Sequence, residues 1–71
     1  MAKPTNDRLT GTIIKWMPEK GFGFISAEGY EYFFHRSAVE NPDAIVIGQK
    51  VTFLSQQAPK GPRAEQVDFV D

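Results

Sequence analysis

Glycine and proline residues divide this chain into short segments, and none of them has the pattern of an α-helix. No segment sustains a 3.6-residue hydrophobic period. The segments between the breaks are instead rich in β-branched and aromatic residues, which favour strands. We predict five strands, over residues 11–16, 21–26, 30–35, 49–55 and 64–70. Between them we predict one helical turn over 37–41, ended by Pro42, and a Gly/Pro-rich loop over 56–62.

The length of the chain limits how these strands can pack. Its 71 residues suffice for one small domain, predicted over 9–71 after a flexible, polar lead-in over 1–8. Five short strands are too few for a two-layer sandwich of ordinary size. We therefore predict an all-β fold, a small closed or nearly closed barrel, because closure removes exposed sheet edges. Its expected core is Ile13, Ile25, Phe34, Ile45, Val51, Phe53 and Val67.

Composition excludes several classes of protein. Eight Lys and Arg against nine Asp and Glu leave a net charge of −1, unlike a polybasic protein that coats nucleic acid through bulk charge. Apolar residues make up 41% of the chain, which is too many for a disordered acidic tail. The absence of cysteine excludes disulfides, Cys-based zinc sites and a Cys nucleophile. No apolar run is long enough to span a membrane and no signal peptide is evident, so we expect a cytoplasmic protein with no membrane partner.

Seven of the nine aromatic residues lie between Trp16 and Phe34. Because strand side chains alternate between faces, Phe22 and Phe24 share one face of their strand. On the next strand Phe33 and His35 share a face, whereas Tyr32 and Phe34 take the other. A barrel this small cannot enclose both sets, so we expect Phe33 and His35 to lie outside.

The residue between the first two phenylalanines supports an exposed aromatic surface. Gly23 stands in a strand interior, where glycine often marks a close approach by other backbone or by a ligand. The alternative is that Phe22 and Phe24 are core residues and Gly23 a bulge. We favour the exposed surface, because rings at strand spacing stack unpaired bases at about 1–3 kcal/mol each without needing net positive charge.

Several motifs, in order along the chain, resemble those of bacterial cold-shock proteins. Residues 20–25 (KGFGFI) resemble their first ribonucleoprotein motif, and residues 32–35 (YFFH) with 37–39 (SAV) resemble the second. Residues 48–53 (GQKVTF) and 60–64 (KGPRA) resemble the fourth strand and the final loop and strand. The resemblance spans residues 11–70 and implies a five-stranded antiparallel barrel of the oligonucleotide/oligosaccharide-binding (OB) type that binds single-stranded RNA and DNA. It also implies base stacking on Phe22, Phe24, Phe33 and His35, with Lys20 and Lys60 beside them.

The chain departs from the family pattern at three places. Counted without gaps, the family's exposed tryptophan falls on Lys15 and its next aromatic on Trp16. The alternative register puts Trp16 in the tryptophan position and needs one residue gained before it and one lost in the Pro18 turn, so both are candidate binding residues. The aromatic that usually follows the histidine is Arg36, whose guanidinium can stack on a base or pair with a phosphate. The connection over 39–48 is short and holds no aromatic, which predicts fewer subsites and weaker binding.

The remaining candidates concern charge and chemistry. Phosphate contacts are predicted at Lys15, Lys20, Arg36, Lys60 and Arg63. A metal site is not expected, because His35 would have only carboxylates beside it, and no cofactor is predicted. The sequence holds neither a nucleophile elbow nor a Walker-type loop, so we predict no enzymatic activity.

The predicted function is single-stranded nucleic-acid binding with low sequence specificity, in an RNA chaperone or a regulator of transcription or translation. The alternative is a protein-interaction barrel whose aromatic face takes a peptide or partner subunit. We expect a monomer; a dimer that buries the same rings is the third possibility.

Overall fold

The computed structural model describes residues 8–70, which form a closed five-stranded barrel. Around the barrel the strands follow the order β1-β2-β3-β5-β4, and β4 closes onto β1. The pairing of β3 with β5 is parallel, and the other four pairings are antiparallel. The predicted all-β barrel is therefore confirmed, but the pairing of β3 with β5 is parallel where an antiparallel barrel was expected. Its strands are β1 (Leu9–Met17), β2 (Phe22–Ala27), β3 (Tyr30–His35), β4 (Lys50–Ala58) and β5 (Gly61–Phe69).

The loop predicted over 56–62 is wrong, because most of that stretch belongs to a hairpin. Strands β4 and β5 stay paired as far as Ala58 and Gly61, so only Pro59 and Lys60 form the turn. Neither turn residue has a positive φ, whereas Gly61 has a φ of 125°. A proline-led turn followed by a glycine at positive φ lets the strands pair again at once.

The connection from β3 to β4 differs in detail from the predicted helical turn over 37–41. It holds two short 3₁₀ turns, Arg36–Ala38 and Pro42–Ala44. The first turn stops at Ala38 because Val39 is extended and forms a parallel bridge with Val67 of β5. Within residues 8–70 there is accordingly no helix long and apolar enough to cross a membrane.

The core fills the barrel with the inward side chains of all five strands. Six of the seven predicted core residues are at most 2% exposed, and Ile45 is half-buried against them. The other buried hydrophobic residues, outside that list, are Ala27, Tyr32, Val39 and Ala64. Tyr32 and Phe34 are both buried, as strand alternation required of the face opposite Phe33.

Arg8 donates hydrogen bonds to both β4 and β5 at a bulge in β5. Thr52 pairs with Asp68 but Leu54 pairs with Glu65, so β5 holds one extra residue there, and Gln66 takes a φ of 51°. The Arg8 guanidinium donates to the backbone carbonyls of Thr52, at 2.9 Å, and Gln66, and it lies 3.1 Å from the Asp68 carboxylate. Arg8 was predicted to belong to the flexible lead-in, but it is tied to both strands. The rest of that lead-in, 1–7, lies outside the described residues.

Gly23 lies where β1 and the core come closest to β2. A Cβ atom at this position would lie 2.3 Å from the Lys15 carbonyl oxygen and 2.9 Å from two ring atoms of Phe34. The close approach expected at this glycine is therefore made by backbone and by a core ring, on the inner side of the sheet. Phe34 can pack there only because residue 23 has no side chain.

We predict that Gly23→Ala lowers the free energy of unfolding by about 2–3 kcal/mol, because the new methyl group overpacks the core. Gly29→Ala is the matched control, since a Cβ there meets no atom within 4 Å and the only cost is its φ of 84°. That cost should be about 1 kcal/mol. Urea denaturation followed by Trp16 fluorescence measures both variants, and equal losses would contradict the steric role of Gly23.

Candidate nucleic-acid interface

Two rows of paired residues cross the outer side of β1, β2 and β3. Residues paired across strands share a face of the sheet, so each row presents its side chains to the same side. One row runs Lys15–Phe24–Phe33 and continues across the parallel seam to Arg63. The other runs Met17–Phe22–His35. We call this surface the aromatic face: Lys15, Met17, Phe22, Phe24, Phe33, His35 and Arg63.

The three phenylalanine rings of the aromatic face touch one another. Phe22 and Phe33 lie 5.4 Å apart between ring centroids at an interplanar angle of 30°. Phe24 meets them edge-on, at 6.2 Å from Phe22 and 6.0 Å from Phe33. Each ring is only half-buried. Mutual contact therefore holds the rings in place while part of each stays open to solvent.

A bulge in β1 decides which residue of that strand joins the aromatic face. Ile13 pairs with Ile25, but Lys15 pairs with Phe24, so Ile14 is an extra residue. Without the bulge, strict alternation from the buried Ile13 would turn Lys15 inward. With it, Lys15 points outward beside Phe24, as the gapless register of the motifs predicted.

Trp16 consequently lies on the other side of the sheet. It pairs with Gly23 and stacks on Phe34, with ring centroids 5.6 Å apart and planes 7° from parallel. The ring is half-buried against the core. Of the ten predicted binding residues, Trp16 is the one that the structure turns away from the aromatic face and into the packing beneath it.

The orientation of His35 is set by the turn that follows it. The Ser37 backbone N–H donates to Nδ1 of His35 at 3.1 Å, and the Ser37 hydroxyl oxygen lies 2.9 Å from the same atom. These contacts cap the first 3₁₀ turn. In the neutral ring Nδ1 is then the acceptor, so Nε2 carries the proton and remains available as a donor.

The predicted cations fall into two groups around the aromatic face. Near Phe22 and His35, the Arg36 side chain passes over Gly21, where an added Cβ would lie 3.2 Å from its Cδ, and exposed Lys20 precedes that glycine. At the opposite edge, Arg63 places its guanidinium carbon 5.9 Å from the centre of the Phe33 ring. Its Nε also lies 2.9 Å from a Glu65 carboxylate oxygen, which offsets part of its charge.

A cleft of about 490 Å³ continues the aromatic face at the Arg63 edge. Phe24 and Phe33 form one wall, and the β4–β5 hairpin from Ala58 to Arg63 forms the other. Lys60, at the tip of the hairpin, lines the cleft as well. The hairpin thus brings Lys60 next to two rings that are far from it in sequence.

Two residues around the face were missed by sequence reasoning. Met17 follows from alternation once Lys15 is placed outside. Glu65 lies two residues after Arg63 in the same strand, the spacing at which side chains share a face. Residues 8–70 contain no group of three or more His, Cys, Asp or Glu side chains placed to hold a metal ion.

Known proteins share both the sequence pattern and the fold. A profile of the 'Cold-shock' DNA-binding domain family matches residues 9–70. The chain is 41% identical over 71 residues to the cold shock-like protein CspB of Escherichia coli, covering 93% of this chain and 99% of the relative. It is 35% identical over 68 residues to the cold shock protein CapB of Pseudomonas syringae, covering 92% and 99%.

A solved structure gives the same result for the fold. The Drosophila Unr CSD456 structure superposes with a TM-score of 0.80 at 26% identity, covering 94% of this chain and 28% of that longer chain. The protein is therefore a small nucleic-acid-binding β-barrel of the OB type. More specifically, it belongs to the cold-shock DNA-binding domain family, which confirms the family predicted from its motifs.

The two faces of β3 should respond differently to the same mutation. We predict that Phe33→Ala costs about 1–2 kcal/mol of unfolding free energy, since it removes two ring contacts at the surface. Phe34→Ala, one residue further on, should cost about 3–5 kcal/mol because it empties the core. Thermal and urea unfolding test the pair. If Phe34→Ala does not fold, Phe33→Leu and Phe34→Leu give the comparison, and similar losses at both positions would contradict it.

Proposed function

We propose that this protein binds single-stranded RNA or DNA through the aromatic face, with low sequence specificity. The observation that carries the proposal is the outward row of touching, half-buried rings on β2 and β3, flanked by Lys15 and Arg63. In the cytoplasm such a protein would act as a monomeric RNA chaperone or as a regulator of transcription or translation, without a catalytic step. Binding unpaired segments would compete with hairpins that form within the same strand.

Stacking supplies most of the binding free energy in this mechanism. Three or four bases stacked on Phe22, Phe24, Phe33 and His35, at about 2 kcal/mol each, give a gross gain of about 6–8 kcal/mol. Ordering the strand offsets part of that gain, whereas contacts from the flanking cations add to it. A micromolar Kd, equivalent to about −8 kcal/mol, is the expected result.

The same geometry accounts for low sequence specificity. Every base offers a flat π-face to a ring, so stacking does not distinguish bases strongly. The donor at Nε2 of His35 and the guanidinium of Arg36 lie at the Phe22 end of the face, where they can reach base edges or phosphates. Modest base preferences would come from these contacts.

The double variant Phe22→Ala/Phe33→Ala tests the aromatic face directly. Losing two stacks at about 2 kcal/mol each should weaken binding to a pyrimidine-rich oligonucleotide by about 1,000-fold. Anisotropy of a labelled oligonucleotide is the suitable measurement, since Trp16 lies beneath the face and is an indirect reporter. Val46→Ala is the control, an exposed apolar residue on the β3–β4 connection. Unchanged affinity in a folded double variant would refute the proposal.

The salt dependence of binding should be shallow. Phosphate contacts from Lys20, Arg36 and Lys60, at about −0.7 each for single strands, predict a slope of about −2 in log K against log salt. Arg63 is expected to add little, since Glu65 lies against it. A titration series in potassium chloride measures the slope. A value of about −5 or steeper would show that charge, rather than stacking, dominates binding.

A further inference from the structure

A second cleft, of about 390 Å³, opens at the end of the barrel near the start of β3. Its lining residues come from β3, β4 and β5: Tyr30, Tyr32, Ser55, Gln56, Gln57 and Pro62. It is separate from the aromatic face, because Tyr30 and Tyr32 lie on the side of β3 opposite Phe33.

The cleft exists because the parallel seam between β3 and β5 is short. The register of that seam holds one residue pair within the described chain, Phe33 with Arg63. Pro62, the next residue of β5 toward the hairpin, has no backbone N–H and cannot extend the ladder toward Tyr32. Strands β3 and β5 are therefore unpaired on the N-terminal side of Phe33 and Arg63, and this end of the barrel is open.

Pro62 also connects this cleft to the aromatic face. It lines the cleft beside Phe24 and Phe33 as well as the one at Tyr30 and Tyr32. A nucleic-acid strand that runs from the Phe33 ring along the hairpin therefore has to cross only Pro62 to reach the second cleft.

The chemistry of the cleft suits a neutral, flat and polar-edged group. Tyr30 is 64% exposed and offers a ring for stacking. Tyr32 is only 8% exposed and packs on Phe53, with ring centroids 4.9 Å apart, so that wall belongs to the core. Ser55 and Gln57, which share a face of β4, supply a hydroxyl and an amide group that both donate and accept hydrogen bonds. No charged side chain lines the cleft, which favours a nucleobase over a phosphate.

We propose that this cleft is an additional nucleobase subsite, in which a base stacks on Tyr30 and its edge meets the Ser55 hydroxyl and the Gln57 amide. The inference rests on the proposed function, because the subsite receives a nucleic-acid strand that is already bound to the aromatic face. It would extend the binding footprint at the hairpin edge, on a chain whose 39–48 connection has no aromatic residue.

Oligonucleotide length tests the subsite. We compare thymidine oligonucleotides of about four and about eight nucleotides, within the range of site sizes known for OB folds. Tyr30→Ala should weaken binding of the longer one by about tenfold, as expected for one lost stack, and leave the shorter one unchanged. Tyr30→Phe keeps the ring and should bind both as the unmodified protein does. The side-chain amide NMR signals of Gln57 should shift with the longer oligonucleotide only.

The outcomes separate the subsite from the proposed function. If Tyr30→Ala leaves both affinities unchanged, or lowers both equally, the subsite is refuted. The proposed function still stands in that case, provided that Phe22→Ala/Phe33→Ala lowers the affinity for both oligonucleotides. If that double variant binds both oligonucleotides normally, the proposed function is refuted and the subsite with it. Amide signals that do not respond to the longer oligonucleotide would also overturn the subsite.

Discussion

The packing of the Phe34 ring beneath Gly23 is the contact on which the rest of the structure depends. Phe34 is fully buried, and Trp16 stacks on it from β1, so one ring joins three strands. Because side chains alternate along β3, an inward Phe34 forces Phe33 and His35 outward. The aromatic face is thus a direct consequence of how the core is filled.

Local irregularities then adjust that regular arrangement. The bulge at Ile14 turns Lys15 outward and Trp16 inward, and the bulge at Gln66 is held by Arg8. Pro62 limits the parallel seam and leaves one end of the barrel open. Of these irregularities, the bulge at Ile14 decides which side chain of β1 lies on the aromatic face.

In the proposed mechanism, the aromatic face reconciles a net charge of −1 with membership of a nucleic-acid-binding family. Its cations are few but lie at both ends of the row of rings, and Glu65 offsets one of them. Affinity in the proposed mechanism comes from stacked rings, which carry no charge. The cost is that three phenylalanines are kept at the surface of a small domain, where they add less to stability than core residues do.

Much of this protein could be predicted from its sequence, because the deciding forces were local. Glycine and proline breaks, β-prone segments and alternation determined five strands, the six large and fully buried core residues and the outward placing of Phe33 and His35. The motifs of residues 20–25 and 32–35 determined the family. The tertiary structure alone decided that β4 and β5 form a long hairpin, that Trp16 packs on Phe34, and that Arg63 meets Phe33 and Glu65. These features depend on bulges and on contacts between distant strands, where a shift of one residue reverses the face of every side chain that follows.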